Sequence, residues 1–86
     1  MARYDLLIKR SAVRELEAVS TQKLRRLIVR RIRALQANPR PPGCEKLTGR
    51  GRYRVRQGPY RIVYSVDDTT LDVTVFKIGQ RKDVYR

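Results

Sequence analysis

The sequence predicts an α+β fold: an N-terminal strand, a helical hairpin, then an antiparallel β-meander packed on the two helices. The chain's one Pro/Gly cluster, Asn38-Pro39-Arg40-Pro41-Pro42-Gly43, divides it in two. Before the cluster apolar residues mostly recur at about 3.6-residue spacing, and after it they alternate with a period of 2. Eighty-six residues suit a single domain over 1–86, one that buries roughly 60% of its unfolded surface.

In chain order, residues 3–9 form a short strand with Tyr4, Leu6 and Ile8 on one parity. Ser11 is placed to cap a helix whose Ala12, Val13, Leu16 and Val19 share a face. Ser20-Thr21 restarts a second helix with Leu24, Leu27, Ile28, Ile32 and Leu35 at three-to-four spacing. Asn38-Pro39 ends it, because the residue before a proline is pushed out of the α region. Beyond the cluster, Tyr53 and Val55 alternate with Arg52, Arg54 and Arg56. Tyr60, Ile62, Tyr64 and Val66 alternate with Arg61, Val63 and Ser65, and Leu71, Val73 and Val75 with Asp72, Thr74 and Phe76. Gly58-Pro59 and Asp67-Asp68-Thr69-Thr70 are the turns.

Symmetric closure at Gly58-Pro59 sets Gln57 against Tyr60, Arg56 against Arg61, Val55 against Ile62 and Tyr53 against Tyr64. The same closure at Asp68-Thr69 sets Val66 against Leu71, Tyr64 against Val73 and Ile62 against Val75. One sheet face is then apolar throughout, and a one-residue slip would destroy the match. The helices cover that face. The other gathers Arg52, Arg54, Arg56 and Arg61, with Thr74 and Phe76.

Charge narrows the function. Lys+Arg number 21 against 8 Asp+Glu, a formal +13, and most of the cations are Arg, whose planar fork binds phosphate bidentately. A polyanion is the expected partner. With no histidine, a His general base, a Ser-His-Asp or Cys-His pair and an imidazole metal ligand are all excluded. Cys44, the single cysteine, has neither a disulfide partner nor zinc-ligand spacing, and reads as an inert thiol. No apolar run is long enough for a signal peptide or membrane span, so a soluble, cytoplasmic protein is expected. Asp67, Asp68 and Asp72 belong to a turn signal rather than a metal site, and no metal or cofactor is expected.

Arg56 opposite Arg61 is a like-charge cross-strand pair, destabilising by about 0.2–1 kcal/mol. Two readings follow: an arginine platform for a phosphodiester, to which Phe76 and a nearby Tyr add base stacking, or a solvated edge where long side chains splay apart. The second helix carries Lys23, Arg25, Arg26, Arg30, Arg31 and Arg33 with no acid between Thr21 and Asn38. That run is either a solvated face or an unspecific contact with RNA backbone.

The strings Lys46-Leu47-Thr48-Gly49, Tyr53-Arg54-Val55-Arg56, Gly58-Pro59-Tyr60-Arg61-Ile62-Val63-Tyr64 and Ile78-Gly79-Gln80-Arg81-Lys82-Asp83-Val84-Tyr85 together resemble the RelE/ParE superfamily of bacterial and archaeal toxins. The resemblance covers nearly the whole chain and is closest to the RelE branch. It implies a RelE-like fold and the toxin of a type II toxin–antitoxin system. The implied toxin is a ribosome-dependent endoribonuclease that cuts mRNA in the A site through attack of a ribose 2′-OH, giving a 2′,3′-cyclic phosphate and a 5′-OH, with no metal. The implied partners are mRNA, the ribosome and an acidic RelB-like antitoxin.

By the resemblance, Arg61 matches the phosphate-binding arginine and Arg81 the one that stabilises the transition state or assists leaving-group protonation. Tyr85 matches the tyrosine that orients or stacks on substrate. Arg54 and Arg56 stand where the best-known branch has two lysines, one a proposed base, and an arginine, with a pKa above about 12, does not readily give up its proton. Glu45 is the replacement base the resemblance offers, the other reading being a solvent-exposed loop carboxylate. Gln80 stands where many relatives have a basic or imidazole side chain. Arg52, Arg54, Arg56, Phe76, Lys82 and Arg30 complete the set expected to contact RNA. The chain ends just past Tyr85, so neutralisation by displacing a C-terminal helix is not expected; direct covering of the arginines is. Two other functions fit the same superfamily: a ParE-like inhibitor of DNA gyrase, and a non-catalytic RNA- or ribosome-binding member.

Overall fold

The computed structural model describes residues 3–49 and 51–80. Three of the expected site residues, Arg81, Lys82 and Tyr85, lie outside that range. The elements run β1 (Asp5–Ile8), α1 (Arg10–Glu17), α2 (Gln22–Ala34), β2 (Glu45–Lys46), β3 (Arg52–Gln57), β4 (Tyr60–Asp67) and β5 (Asp72–Gln80). The strands form one sheet in the order β1-β5-β4-β3-β2. Only β1 runs parallel to its neighbour, and the α+β architecture is the expected one.

β1 passes directly into α1. Lys9 N–H still donates to Val75 O at 3.0 Å, so Lys9 is the extended cap residue and Arg10 opens the helix with no side-chain capping bond. The expected Ser11 cap is therefore not used: the sheet holds the residue two before it, and Ser11 lies exposed in the first turn. Val13, expected on the core face, is 36% exposed, and Ala12 and Val19 make the seal. α2 starts as expected, with Thr21 Oγ1 accepting from Leu24 N–H at 3.2 Å. It buries Ile28 and Ile32, with Leu35 just beyond. It ends at Ala34, and Leu35, Gln36 and Ala37 donate three residues back, which tightens the exit before Pro39.

The β3–β4 hairpin has the expected register in all four pairs. Gly58 has φ +59 and Pro59 has the negative φ its ring imposes, the signs of a type II′ turn. The β4–β5 hairpin departs from expectation. Val66 faces Val73 and Tyr64 faces Val75, a shift of two residues. The cause is a longer turn over residues 68–71, in which Asp67 Oδ1 accepts from Thr69 and Thr70 N–H and Leu71 takes φ +58. A two-residue shift preserves parity, so the apolar face survives. A second departure follows: the register breaks opposite Val63/Tyr64, leaving Phe76 as an extra residue with no partner on β4. This β-bulge resets the alternation so that Ile78, not Lys77, returns to the core against Ile62.

The core lies between the sheet and the helices: Val55, Ile62, Tyr64, Val73, Val75 and Ile78 against Ala12, Val19, Ile28, Ile32 and Leu35. Buried Tyr64 donates its hydroxyl to Pro39 O at 2.7 Å, and burial pushes its pKa up. β1 stops at Ile8, so among the described residues the edge of β5 beyond Val75 has no strand beside it. Glu15 of α1 fills that gap, accepting from Ile78 N–H at 3.0 Å and pairing with Lys77 Nζ at 3.1 Å. No helix among the described residues is long and apolar enough to cross a membrane.

Candidate functional site

The sheet face turned away from the helices gathers the strand arginines. On β3 alternation points Arg52, Arg54 and Arg56 outward, and β4 sets Arg61 against Arg56 on one side and Gly79 on the other. Gly79 presents no side chain, so nothing on β5 crowds the Arg61 stem. Arg52 and Arg56 are exposed, as a platform reading anticipates. Arg54 and Arg61 are not, at 8% and 9% exposure. The two readings of this face were therefore incomplete: half the arginines are shielded from water, where a charge acts more strongly on a neighbour than it does in bulk solvent.

Glu45 belongs to this group. One of its two readings puts it in a loop, but it opens the two-residue strand β2 and sits opposite Arg54. The pairing is chemical as well as positional, since Arg54 Nη2 donates to Glu45 Oε2 at 2.8 Å. The carboxylate is largely exposed and so remains within reach of a ligand. A short strand of two polar residues carries no alternation to detect, which is why sequence reading missed β2.

The Pro/Gly segment fixes where β2 lies. Arg40 forms a bidentate pair with Asp68 (Nη2 to Oδ2, 2.8 Å; Nη1 to Oδ1, 3.2 Å) and donates through Nε to Tyr53 Oη at 2.9 Å. Tyr4 donates its hydroxyl to Asp68 Oδ1 at 2.7 Å. The Arg40 hydrogen bonds hold the Asp68 carboxyl below its ordinary value of 3.8, and the bond to Asp68 raises the Tyr4 phenol. With Tyr64 bound to Pro39 O and Leu47 N–H donating to Arg52 O at 2.9 Å, the segment is tied down on both sides of Glu45. Asp68 thus spends both oxygens on this strap, and among the described residues no cluster of three acidic or thiol side chains gathers.

Phe76 lies on the same outward face. Arg52 reaches across β4 to place its guanidinium 4.3 Å from the ring centroid, and Lys9 Nζ is 4.8 Å from it. Lys9 was not singled out from sequence; its signal is the parity of Leu7, continued one step past β1. Arg30 is elsewhere. With Arg25, Arg26 and Arg33 it rims a groove over Leu16 and Val29 between the helices, on the other side of the core from the strand arginines. What the outward face can do chemically is hold phosphate oxygens, orient one carboxylate and offer one aromatic ring.

A family model described as the ParE toxin of the type II toxin–antitoxin system parDE matches residues 6–85. The chain belongs to this toxin family. Within the wider RelE/ParE superfamily, Toxin RelG of Mycobacterium tuberculosis is 36% identical over 36 residues. That match spans 42% of this chain and 41% of the relative, so the chain covers about two fifths of that protein's length. The archaeal RelE–RelB complex from Pyrococcus horikoshii superposes with a TM-score of 0.82 at 28% identity, covering 94% of this chain and 97% of that one. The intact E. coli RelBE toxin–antitoxin complex gives 0.79 at 21% identity, with 91% and 96% covered, and the RelBE2 toxin–antitoxin complex of M. tuberculosis gives 0.77 at 22%, with 92% and 99% covered. The last two likenesses are of fold alone. The RelE-like α+β fold expected of this toxin is the one it has.

Proposed function

We propose that this toxin is a single-domain, metal-independent endoribonuclease that cleaves ribosome-bound mRNA and is neutralised by an acidic antitoxin covering its arginines. The observation that carries the reading is the assembly of Arg54, Arg56 and Arg61 with one oriented carboxylate, Glu45, on one sheet face. A phosphodiester laid on that face meets Arg54 and Arg61 already shielded within the sheet face, so less reorganisation opposes charge build-up in the transition state. Arg61 and Arg56 hold the non-bridging oxygens. The 2′-OH attacks the neighbouring phosphorus and its proton passes to Glu45, aimed by its bond from Arg54 Nη2. The P–O5′ bond breaks, leaving a 2′,3′-cyclic phosphate and a 5′-oxygen that takes up a proton. Arg81 serves that leaving oxygen and Tyr85 stacks on the substrate. Arg52, Phe76, Lys82 and, more remotely, Arg30 contact the RNA around the cut. With no histidine in the chain and, among the described residues, one carboxylate bonded to the strand arginines, proton transfer is the weak step. Alignment of the mRNA by the ribosome supplies what the protein lacks, which places the activity in the cytoplasm.

Two measurements test this. Cleavage of ribosome-bound mRNA should far exceed cleavage of the same mRNA free in solution; equal rates overturn ribosome dependence. Growth arrest should disappear in an Arg61→Ala/Arg81→Ala double variant, and arrest that persists removes the nuclease reading. The family description itself favours a second reading, a ParE-like inhibitor of DNA gyrase. Under that reading induction alters plasmid supercoiling and produces no new mRNA 5′ ends.

A further inference from the structure

Phe76 is the chain's one phenylalanine, and it stands on the polar side of the sheet, where it adds nothing to the core cluster. It is also the extra residue of the β5 bulge, and bulges re-aim side chains beside functional sites. Two cations from strands on opposite sides of β5 lie over its ring: Arg52 from β3 and Lys9 from the end of β1. Leu7, 55% exposed, shares the outward parity beside it across the β1–β5 pair. An aromatic ring framed by cations and set in an arginine-lined face has the composition of a single-strand stacking platform, where the ring takes the base and the cations take the flanking phosphates.

We infer that Phe76, with Lys9 and Arg52, forms a subsite that stacks one unpaired nucleobase of single-stranded RNA. The inference rests on the reading that the arginine face binds RNA. Phe76 lies opposite the Val63/Tyr64 step, two to three residues along β4 from Arg61, about 7–10 Å at the rise of a strand. The stacked base therefore belongs to a nucleotide beside the one whose phosphate Arg61 holds. In the free protein the two cations keep the ring oriented. When RNA binds, Arg52 and Lys9 swing from over the ring to the phosphates on either side, and the base takes their place on it.

The test uses the full chain and a fluorescein-labelled single-stranded RNA hexamer, 2′-O-methylated so that it is not cut, with one abasic position walked along it. Wild-type protein should lose about tenfold in affinity at one abasic position. Phe76→Leu should lose about as much on the intact hexamer and be indifferent to that abasic position. Phe76→Tyr, which keeps the ring, should bind as wild type, and melting curves of both variants control for folding. Lys9→Gln and Arg52→Gln should weaken binding while leaving the abasic effect in place. Losses from Phe76→Leu and from the abasic position that multiply, or a Phe76→Leu variant that binds like wild type, overturn the subsite. If Arg61→Ala still abolishes binding in that case, the arginine-face reading stands without it. A wild-type protein that does not bind the hexamer at low salt overturns both. RNA binding unchanged in Phe76→Leu with weaker binding of an acidic antitoxin peptide also overturns the subsite and assigns the ring to a protein partner.

Discussion

Arg56 and Arg61 show how one residue pair trades stability for function. They face each other across β3 and β4, where like charges destabilise a hairpin, and Arg61 is almost wholly shielded from solvent. Nothing in the packing requires a cation at Arg56, which is exposed and stands next to the turn. Arg56→Gln is therefore expected to raise stability by about 0.2–1 kcal/mol, read as a higher urea midpoint at unchanged slope, while cleavage of ribosome-bound mRNA falls. A variant that loses both stability and activity would show Arg56 to be structural. Glu45 makes the opposite trade: its one described hydrogen bond is to Arg54, and that bond fixes the direction of a carboxylate that solvent still reaches.

Among the elements, the proline-rich segment between α2 and β2 does the most positioning. It has no regular structure, yet Arg40, Pro39 and Pro41 are tied respectively to Asp68 and Tyr53, to Tyr64, and to Cys44 N–H. The strap joins the β4–β5 turn to the start of β2, so its integrity sets where Glu45 stands. The Asp68 carboxyl lies below its ordinary value in the folded protein, chiefly through the Arg40 hydrogen bonds. A lowered carboxylate stabilises the fold above its unfolded pKa, and that stabilisation is lost as pH falls through the folded value. Asp68→Asn should accordingly melt below wild type at neutral pH, with the gap closing as pH drops under 3.8. A gap that is constant between pH 7 and pH 2 would show that the ion pair contributes nothing. The bulge at Phe76 is the other element-scale device: one inserted residue returns Ile78 to the core and leaves an aromatic ring on the polar face.

Across the whole molecule, the +13 charge divides by topology into two fields. The α2 arginines rim a groove on the helical layer, and the strand arginines occupy the outward sheet face with the core between the two groups. Their effects on RNA binding should separate. Each cation that meets a phosphate of single-stranded RNA adds about −0.7 to the slope of log affinity against log salt. Arg52→Gln is expected to flatten that slope by about this amount, and Arg30→Gln, the remoter contact, to flatten it by less than half as much. Equal effects from the two substitutions would mean that RNA wraps the molecule without selecting a face.

The alternation of Tyr53, Val55, Ile62, Tyr64, Val73 and Val75 determined by itself that a sheet has one apolar face, that two helices cover it and that the arginines share the other. These are consequences of side-chain period, which is local. It also placed Arg56 against Arg61, because a two-residue turn leaves a single register that keeps both faces intact. Tertiary structure alone decided the rest. Asp67 side-chain bonds lengthened the second turn and shifted its register by an even step that parity cannot detect. β1 found β5 67 residues downstream in the chain, a pairing no local pattern encodes, and so brought Lys9 to Phe76. The Arg40 strap carried Glu45 to Arg54. Contacts between distant segments depend on which edges and loops remain free once the core has closed, and period says nothing about that.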